Sequence, residues 1–165
     1  MARRRTSRPT IAIRVEAGAW PPARRLRALA ERAVGAAIAH GLGVPADAEL
    51  SLLFTDDAHM RGLNATWRKS DKTTNVLSFP ADASGSPGFG PFLGDIALAF
   101  ETIDRESAAL GLTFEDHLTH LILHGFLHLL GFDHAKDGEA DRMEGLETAI
   151  LGGLGIEDPY RAPGA

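Results

Sequence analysis

The segment HGFLHLLGFDH, residues 124–134, places three histidines at the spacing HxxxHxxGxxH within the longest apolar stretch of the chain. Residues four apart lie about one turn apart on one helical face, so His124 and His128 can bind one ion together. Gly131 favours a left-handed turn at the helix end, which would bring His134 back to the same ion. The spacing therefore predicts a metal site formed by a helix and the turn that ends it.

Three imidazoles are a typical zinc ligand set, with Zn–N distances of about 2.0–2.1 Å and a fourth tetrahedral position for water. Zinc in such a site lowers the pKa of its water to about 7, which suits hydrolysis at neutral pH. A lone buried histidine is more often bonded to backbone groups, but three among Leu, Ile and Phe residues have no obvious partners. The chain contains no cysteine, so its metal ligands must be His, Asp or Glu. We therefore predict a hydrolase with one zinc ion per chain.

Two further histidines, His117 and His120, share the helical face of His124 and His128. They could support the metal ligands indirectly or contact the substrate. Alternatively, they are ordinary solvated residues of the helix. The sequence does not decide between these roles, and both residues are kept as candidate substrate-binding groups.

Apolar periodicity outside this segment predicts four strands and five helices. Strands are predicted near residues 11–15, 49–55, 76–79 and 94–100, and helices over 23–40, 57–67, 101–110, 114–130 and 136–151. The Gly-, Pro- and Ser-rich residues 81–92 predict a mobile surface loop. This order predicts an α+β fold, in which helices pack on a mixed sheet of about four strands and the zinc site lies at the end of a central helix.

The length of 165 residues fits one domain, with a net charge of −5. We expect a basic, flexible N-terminus over residues 1–10, one metal-dependent hydrolase domain over 11–155 and a tail over 156–165. Residues 1–80 carry 13 Lys and Arg against 7 Asp and Glu, and residues 81–165 carry 4 against 15. A basic first half is compatible with a polyanionic substrate. No secretion signal or span of roughly 20 apolar residues is evident, so we expect a cytoplasmic protein.

The same histidine spacing occurs in metzincin peptidases, but those enzymes carry a general-base Glu directly after the first histidine, where this chain has Gly125. Another family matches more of the sequence. HGFLHLLGFDH, together with WRKSDKTTNVLSFP, LGDIAL and EADRMEGLE, resembles the YbeY family of bacterial rRNA maturation factors over about residues 64–150.

This resemblance implies a metal-dependent endoribonuclease for single-stranded RNA that acts in 3′-end maturation of small-subunit rRNA and in ribosome quality control. The implied partners are RNA and the ribosome or its small subunit, with no membrane and no DNA. By position, the family's zinc ligands correspond to His124, His128 and His134, and its functional arginine to Arg68. A guanidinium offers a fixed fork of donors that suits phosphate, so Arg68 is the candidate catalytic residue.

Several residues near these motifs have two interpretations. Arg68 could instead form a surface salt bridge, for instance with Asp71. Lys69 and Lys72 could contact the RNA backbone, or they could be solvated residues of a polar loop.

The remaining candidates are also ambiguous. Asn75 and Ser78 could line the cleft or make turn and strand-edge hydrogen bonds. Asp95 and Asp133 could serve proton transfer or support a strand end and a turn. Met143 could lie beneath the metal or be an ordinary packing residue of its helix.

Two other functions are compatible with the motifs. One is a ribosome assembly factor whose zinc mainly stabilises the fold, and an open fourth zinc position would distinguish it from an enzyme. The other is a zinc peptidase, which the helical spacing allows but Gly125 disfavours.

Overall fold

The protein is described from a computed structural model, which covers the following residues: 8–68, 74–81, 91–132 and 137–159. Four of the residues selected from the sequence lie outside these ranges: Lys69, Lys72, Asp133 and His134. Most of the loop predicted at 81–92 lies outside them as well.

Four strands and five helices are present in the described residues, as the periodicity predicts. Along the chain they are β1 (Thr10–Val15), α1 (Ala23–Ala39), β2 (Glu49–Thr55), α2 (Asp57–Arg68), β3 (Val76–Pro80), β4 (Phe92–Ala99), α3 (Phe100–Leu110), α4 (Phe114–Leu129) and α5 (Asp137–Gly153).

The four strands form one mixed sheet in the order β1-β2-β4-β3. β1, β2 and β4 are parallel, and β3 pairs antiparallel with β4. The chain returns between β1 and β2 through α1, and between β2 and β4 through the antiparallel strand β3. β3 and β1 are therefore the edges of the sheet. The predicted α+β class with a four-stranded mixed sheet is confirmed.

The two faces of the sheet are covered differently, and the alternation along β4 shows how. Ile96 and Leu98 face the main core, which α1 and α4 cover, while Ala97 and Ala99 face a small cluster around Met60 of α2. Eleven of the sixteen residues of α4 are buried, so this helix is apolar on most sides, as expected for a central helix. Within the described part of the chain, no helix has the length and apolarity needed to cross a membrane.

The ends of the elements differ from the predictions at a few positions. β4 was expected over residues 94–100, but it begins at Phe92, and Phe100 already belongs to α3. The Phe100 ring packs edge-on against Trp20, with 5.3 Å between the ring centroids. Phe100 continues the apolar sequence of β4 because it belongs to this aromatic cluster, and not because the strand extends to it. α2 begins directly after Asp56, whose carboxylate accepts a hydrogen bond from the backbone N–H of His59 at 2.9 Å, as a capping residue does.

Candidate metal centre

Helix α4 presents the four histidines and ends in the turn that the sequence predicts. Its first turn is capped by the Thr113 hydroxyl, which accepts a hydrogen bond from the backbone of Asp116. At the other end, Gly131 has a φ of 99°, and the N–H of Phe132 donates to the carbonyl of Leu127 at 3.1 Å. This left-handed ending confirms the predicted turn after the helix.

His124 and His128 meet through their Nε2 atoms, which lie 3.1 Å apart. Two nitrogens bound at about 2.0–2.1 Å to one tetrahedral zinc ion lie about 3.3 Å from each other. Both residues are half-buried. The pair therefore fits two ligands of one zinc ion, whereas His134, the third predicted ligand, lies outside the described residues.

Behind this pair lies Glu147 of α5, a fully buried carboxylate. Its Oε1 is 2.6 Å from Nδ1 of His124, and its Oε2 is 2.8 Å from Nε2 of His120. Because a carboxylate only accepts hydrogen bonds, each of these imidazole nitrogens carries the proton that it donates. One Glu147 side chain thus binds two histidines of α4.

His120, His124 and Glu147 also form a group that could hold a metal ion, with one ligand atom of each within 4.8 Å of the others. The contacts of 2.6 and 2.8 Å within this group are typical of charge-assisted hydrogen bonds. They are shorter than the separation of about 3.3 Å expected between two donor atoms of one tetrahedral zinc ion. The distances therefore favour a metal at the Nε2 atoms of His124 and His128, with Glu147 behind them.

His117 occupies a separate polar contact near the start of α4. Its Nε2 is 3.0 Å from Oε1 of Glu106 in α3, which also accepts a hydrogen bond from the Asn75 side chain at 2.9 Å. Burial lowers the pKa of His117 below its usual value, and the contact with Glu106 opposes that shift only partly. Both His117 and His120 are buried, so neither is the solvated helix residue that the sequence allowed.

Gly125, directly after His124, faces the sheet. A Cβ atom at this position would lie 2.8 Å from Ile96 and 3.1 Å from the hydroxyl of Ser78, which donates to the Gly125 carbonyl. The position that holds the general-base Glu in metzincins is thus packed against β4 and has no space even for a methyl group. This packing explains physically why the metzincin arrangement does not fit this helix.

Comparison with known proteins identifies the family. A family model described as Endoribonuclease YbeY matches residues 16–155, which include every element from α1 to α5. The chain belongs to the YbeY family.

Two relatives in this family are similar over nearly their whole length, and each carries the name Endoribonuclease YbeY. The Rhizobium meliloti protein is 55% identical, over 91% of this chain and 94% of its own. The Chelativorans protein is 56% identical, over 92% of this chain and 93% of its own. A solution structure from Thermotoga maritima, a structural genomics target, matches with a TM-score of 0.56 at 20% identity, covering 93% of this chain and all of that one. At that identity it supports the fold alone.

Arg68, the candidate YbeY-family arginine, is the last residue of α2, and only its backbone is described. Asp95 accepts a hydrogen bond from Ser51. It is two residues before Ala97 in β4, so its side chain is on the same face of the sheet as Ala97, the face that α2 covers. It is therefore on the opposite face from α4. Met143 is buried in the main core.

Sequence reasoning did not select the two glutamates that bind the buried histidines, although the signal for one was present. Glu147 is four residues after Met143 and three before Ile150, a spacing that places all three residues on one face of the helix. A glutamate on that face requires a polar partner in the core. Glu106 gave no comparable signal, because α3 is largely exposed around it.

Proposed function

We propose that this chain is a metal-dependent endoribonuclease that cleaves single-stranded RNA. One zinc ion per chain would be bound by His124, His128 and His134. The observation that carries this proposal is the 3.1 Å approach of the His124 and His128 Nε2 atoms, which fits two imidazole ligands of one ion. Membership of the YbeY family, whose relatives are named endoribonucleases, supports RNA as the substrate.

Zinc in such a site would activate water for hydrolysis at neutral pH. The chain's own residues would bind and orient the RNA around it. Arg68 would bind the two non-bridging oxygens of the scissile phosphate through two parallel N–H donors, which a lysine could not reproduce. Lys69 and Lys72, which follow it in the sequence, would contact neighbouring phosphates.

The biological substrate that we propose is the 3′-extended precursor of small-subunit rRNA, with the ribosome or its small subunit as partner and a role in ribosome quality control. We place this activity in the cytoplasm, with neither DNA nor membrane as a partner. The packing of Gly125 against Ile96 supports this choice over a zinc peptidase, because the usual peptidase base has no space there.

The first test is cleavage of a 3′-extended small-subunit rRNA by zinc-loaded protein. A His128→Ala preparation purified identically controls for contaminating nuclease, and we expect it to be inactive. Cleavage by both preparations would indicate a contaminant, and cleavage by neither would favour the assembly factor with a mainly structural zinc.

The second test separates the metal from the phosphate contact. We expect Arg68→Ala to keep its zinc and to lose most of its RNA cleavage, because the proposed partner of Arg68 is phosphate. Metal content by mass spectrometry and cleavage rate are measured on the same preparation. Full cleavage activity in this variant would remove Arg68 from the mechanism.

A further inference from the structure

Glu147 is an unusual residue for its position in α5. Met143 and Ile150, one turn away on either side, are buried apolar residues of the main core, so packing alone would favour an apolar residue between them. Glu147 is instead a carboxylate with no exposed surface. A buried carboxylate is strongly unfavourable unless it is paired, and here its partners are the imidazoles of His120 and His124.

The contact with His124 determines which of its ring nitrogens can bind a metal. Oε1 of Glu147 accepts a hydrogen bond from Nδ1 of His124, so the proton is on Nδ1 and the lone pair is on Nε2. That Nε2 is the atom that faces Nε2 of His128 at 3.1 Å. The glutamate therefore lies on the opposite side of the imidazole ring from the proposed metal.

The second contact fixes the glutamate itself. Oε2 of Glu147 accepts a hydrogen bond from His120, one turn before His124 on the same face of α4. With both oxygens engaged, the carboxylate cannot rotate freely, and α5 is connected to α4 at two consecutive turns. His120 is thus placed to orient Glu147, and through it His124.

We propose that Glu147 is a positioning residue of the metal centre, which fixes the tautomer and ring orientation of His124, and that His120 orients Glu147. Carboxylates that accept the second N–H of a metal-bound imidazole make it a stronger ligand, and their loss typically weakens metal binding about 10–100-fold. This inference rests on the proposed metal site at His124 and His128. The competing arrangement is a metal bound by Glu147 together with His120 and His124.

The chain provides a matched control for this proposal. Glu106 also contacts a buried histidine of the same helix, at 3.0 Å from Nε2 of His117, which is seven residues before His124. Replacing either glutamate with Gln removes one charge and keeps a side chain of the same size beside an imidazole. A general effect of losing a glutamate beside α4 would therefore appear in both variants.

The experiment measures zinc and cobalt affinity by competition with a chromophoric chelator, for wild type, Glu147→Gln and Glu106→Gln. We expect binding about 10–100-fold weaker in Glu147→Gln and within about twofold of wild type in Glu106→Gln. Equal affinity of all three proteins, or equal losses in both variants, would overturn the role of Glu147. Absence of metal binding by wild type would overturn the proposed metal site itself.

A second measurement needs no variant, so it applies even if Glu147→Gln does not fold. Long-range ¹⁵N–¹H correlation spectra of the wild-type protein report which ring nitrogen of His124 is protonated and which binds zinc. We expect a protonated Nδ1 in the metal-free protein and zinc on Nε2 in the loaded protein. Zinc on Nδ1, which is the atom that faces Glu147, would show that the glutamate is a ligand and would overturn the proposal.

Discussion

Each half of α4, Phe114–Leu121 and Ile122–Leu129, presents two histidines on the same face of the helix, but the groups around the histidines differ between the halves. In the first half, His117 is buried and contacts Glu106, which also binds Asn75 at the start of β3. In the second half, His124 and His128 are only half-buried and their Nε2 atoms face each other. Glu147, beneath the boundary between the two halves, binds one histidine of each.

This difference shows that spacing places histidines on one face, whereas exposure and second contacts determine what each can do. A buried imidazole whose N–H meets a carboxylate is a structural connection between elements. An imidazole that donates one N–H to a carboxylate, and whose other nitrogen lies beside a second imidazole, is suited to bind a metal. The comparison predicts that substitutions of His124 or His128 alter metal binding, whereas those at the start of α4, away from Glu147, alter stability alone.

The largest effect is expected for His128→Ala. Loss of a ligand should remove stoichiometric zinc, with a fall in affinity beyond the roughly 10–100-fold typical of a lost supporting contact. The zinc-loaded wild type should also unfold at a higher temperature than this variant, because metal-binding free energy stabilises the folded state. His40→Ala, which removes an exposed histidine beyond α1, is the control and should keep its zinc. Unchanged zinc content in His128→Ala would refute the assignment.

The next effect tests how closely the second half of α4 packs on the sheet. In Gly125→Ala the new methyl group would lie 2.8 Å from Ile96, and such overpacking destabilises proteins by about 1–3 kcal/mol. Alanine recovers up to about 1 kcal/mol of helix propensity, so we expect a net loss of roughly 1–2 kcal/mol in the free energy of unfolding.

Gly35→Ala in α1 is the matched control, because a Cβ there meets nothing within 4 Å. We expect it to stabilise the protein by about 0.5–1 kcal/mol, since only the propensity gain applies. Urea unfolding of both variants measures the difference. Equal stabilisation by the two substitutions would show that α4 and β4 have space between them, contrary to the packing described.

A smaller effect is expected at the start of the first half, where Thr113 caps the helix. Thr113→Ala removes the acceptor for the backbone N–H of Asp116 and should lower the free energy of unfolding by about 1 kcal/mol. Thr113→Ser keeps the hydroxyl and should retain most of the stability. Zinc affinity should be the same in both variants, and a change in it would mean that the cap at the start of α4 also affects the metal centre.

Much of the fold could be predicted from the sequence because its signals are local. Period-two alternation marked the strands, helical spacing marked the helices, and Gly131 indicated the left-handed turn that ends α4. Strand order could not be obtained in this way, because the antiparallel pairing of β3 with β4 depends on contacts between distant residues. The end of β4 was misplaced for a similar reason, since the ring of Phe100 packs on Trp20 in a different part of the chain.

The candidate site also has parts that local sequence signals indicate and parts that they do not. The i, i+4 spacing placed His124 and His128 together, and the structure brings their Nε2 atoms to 3.1 Å. Glu147 and Glu106 were not selected, because each reaches its histidine from another helix, and no spacing within α4 can indicate a partner on α3 or α5. The assignment of Arg68 rests on the family motif alone, whereas that of His134 rests on the histidine spacing and the turn at Gly131 as well as on the motif.

The smallest effect concerns the protonation of His117 in the first half of α4. Burial lowers the folded-state pKa of His117 below the ordinary value of 6.5, with Glu106 opposing and His120 adding to the shift. At pH values between the lowered pKa and 6.5, His117 binds more protons in the unfolded chain than in the folded protein. The free energy of unfolding therefore rises with pH across this window and levels off above it. Stability is therefore lost as pH falls below about 6.5.

Urea unfolding of metal-free wild type and His117→Gln over this pH range isolates the contribution, because every other histidine is common to the two proteins. We expect a shallower pH dependence in His117→Gln and no difference in slope above pH 6.5, the ordinary value for histidine. The buried Nδ1 of His117 has no hydrogen-bond partner among the described residues, which agrees with a neutral ring. Equal slopes would instead mean that Glu106 fully offsets the effect of burial, so that folding leaves the pKa of His117 unchanged.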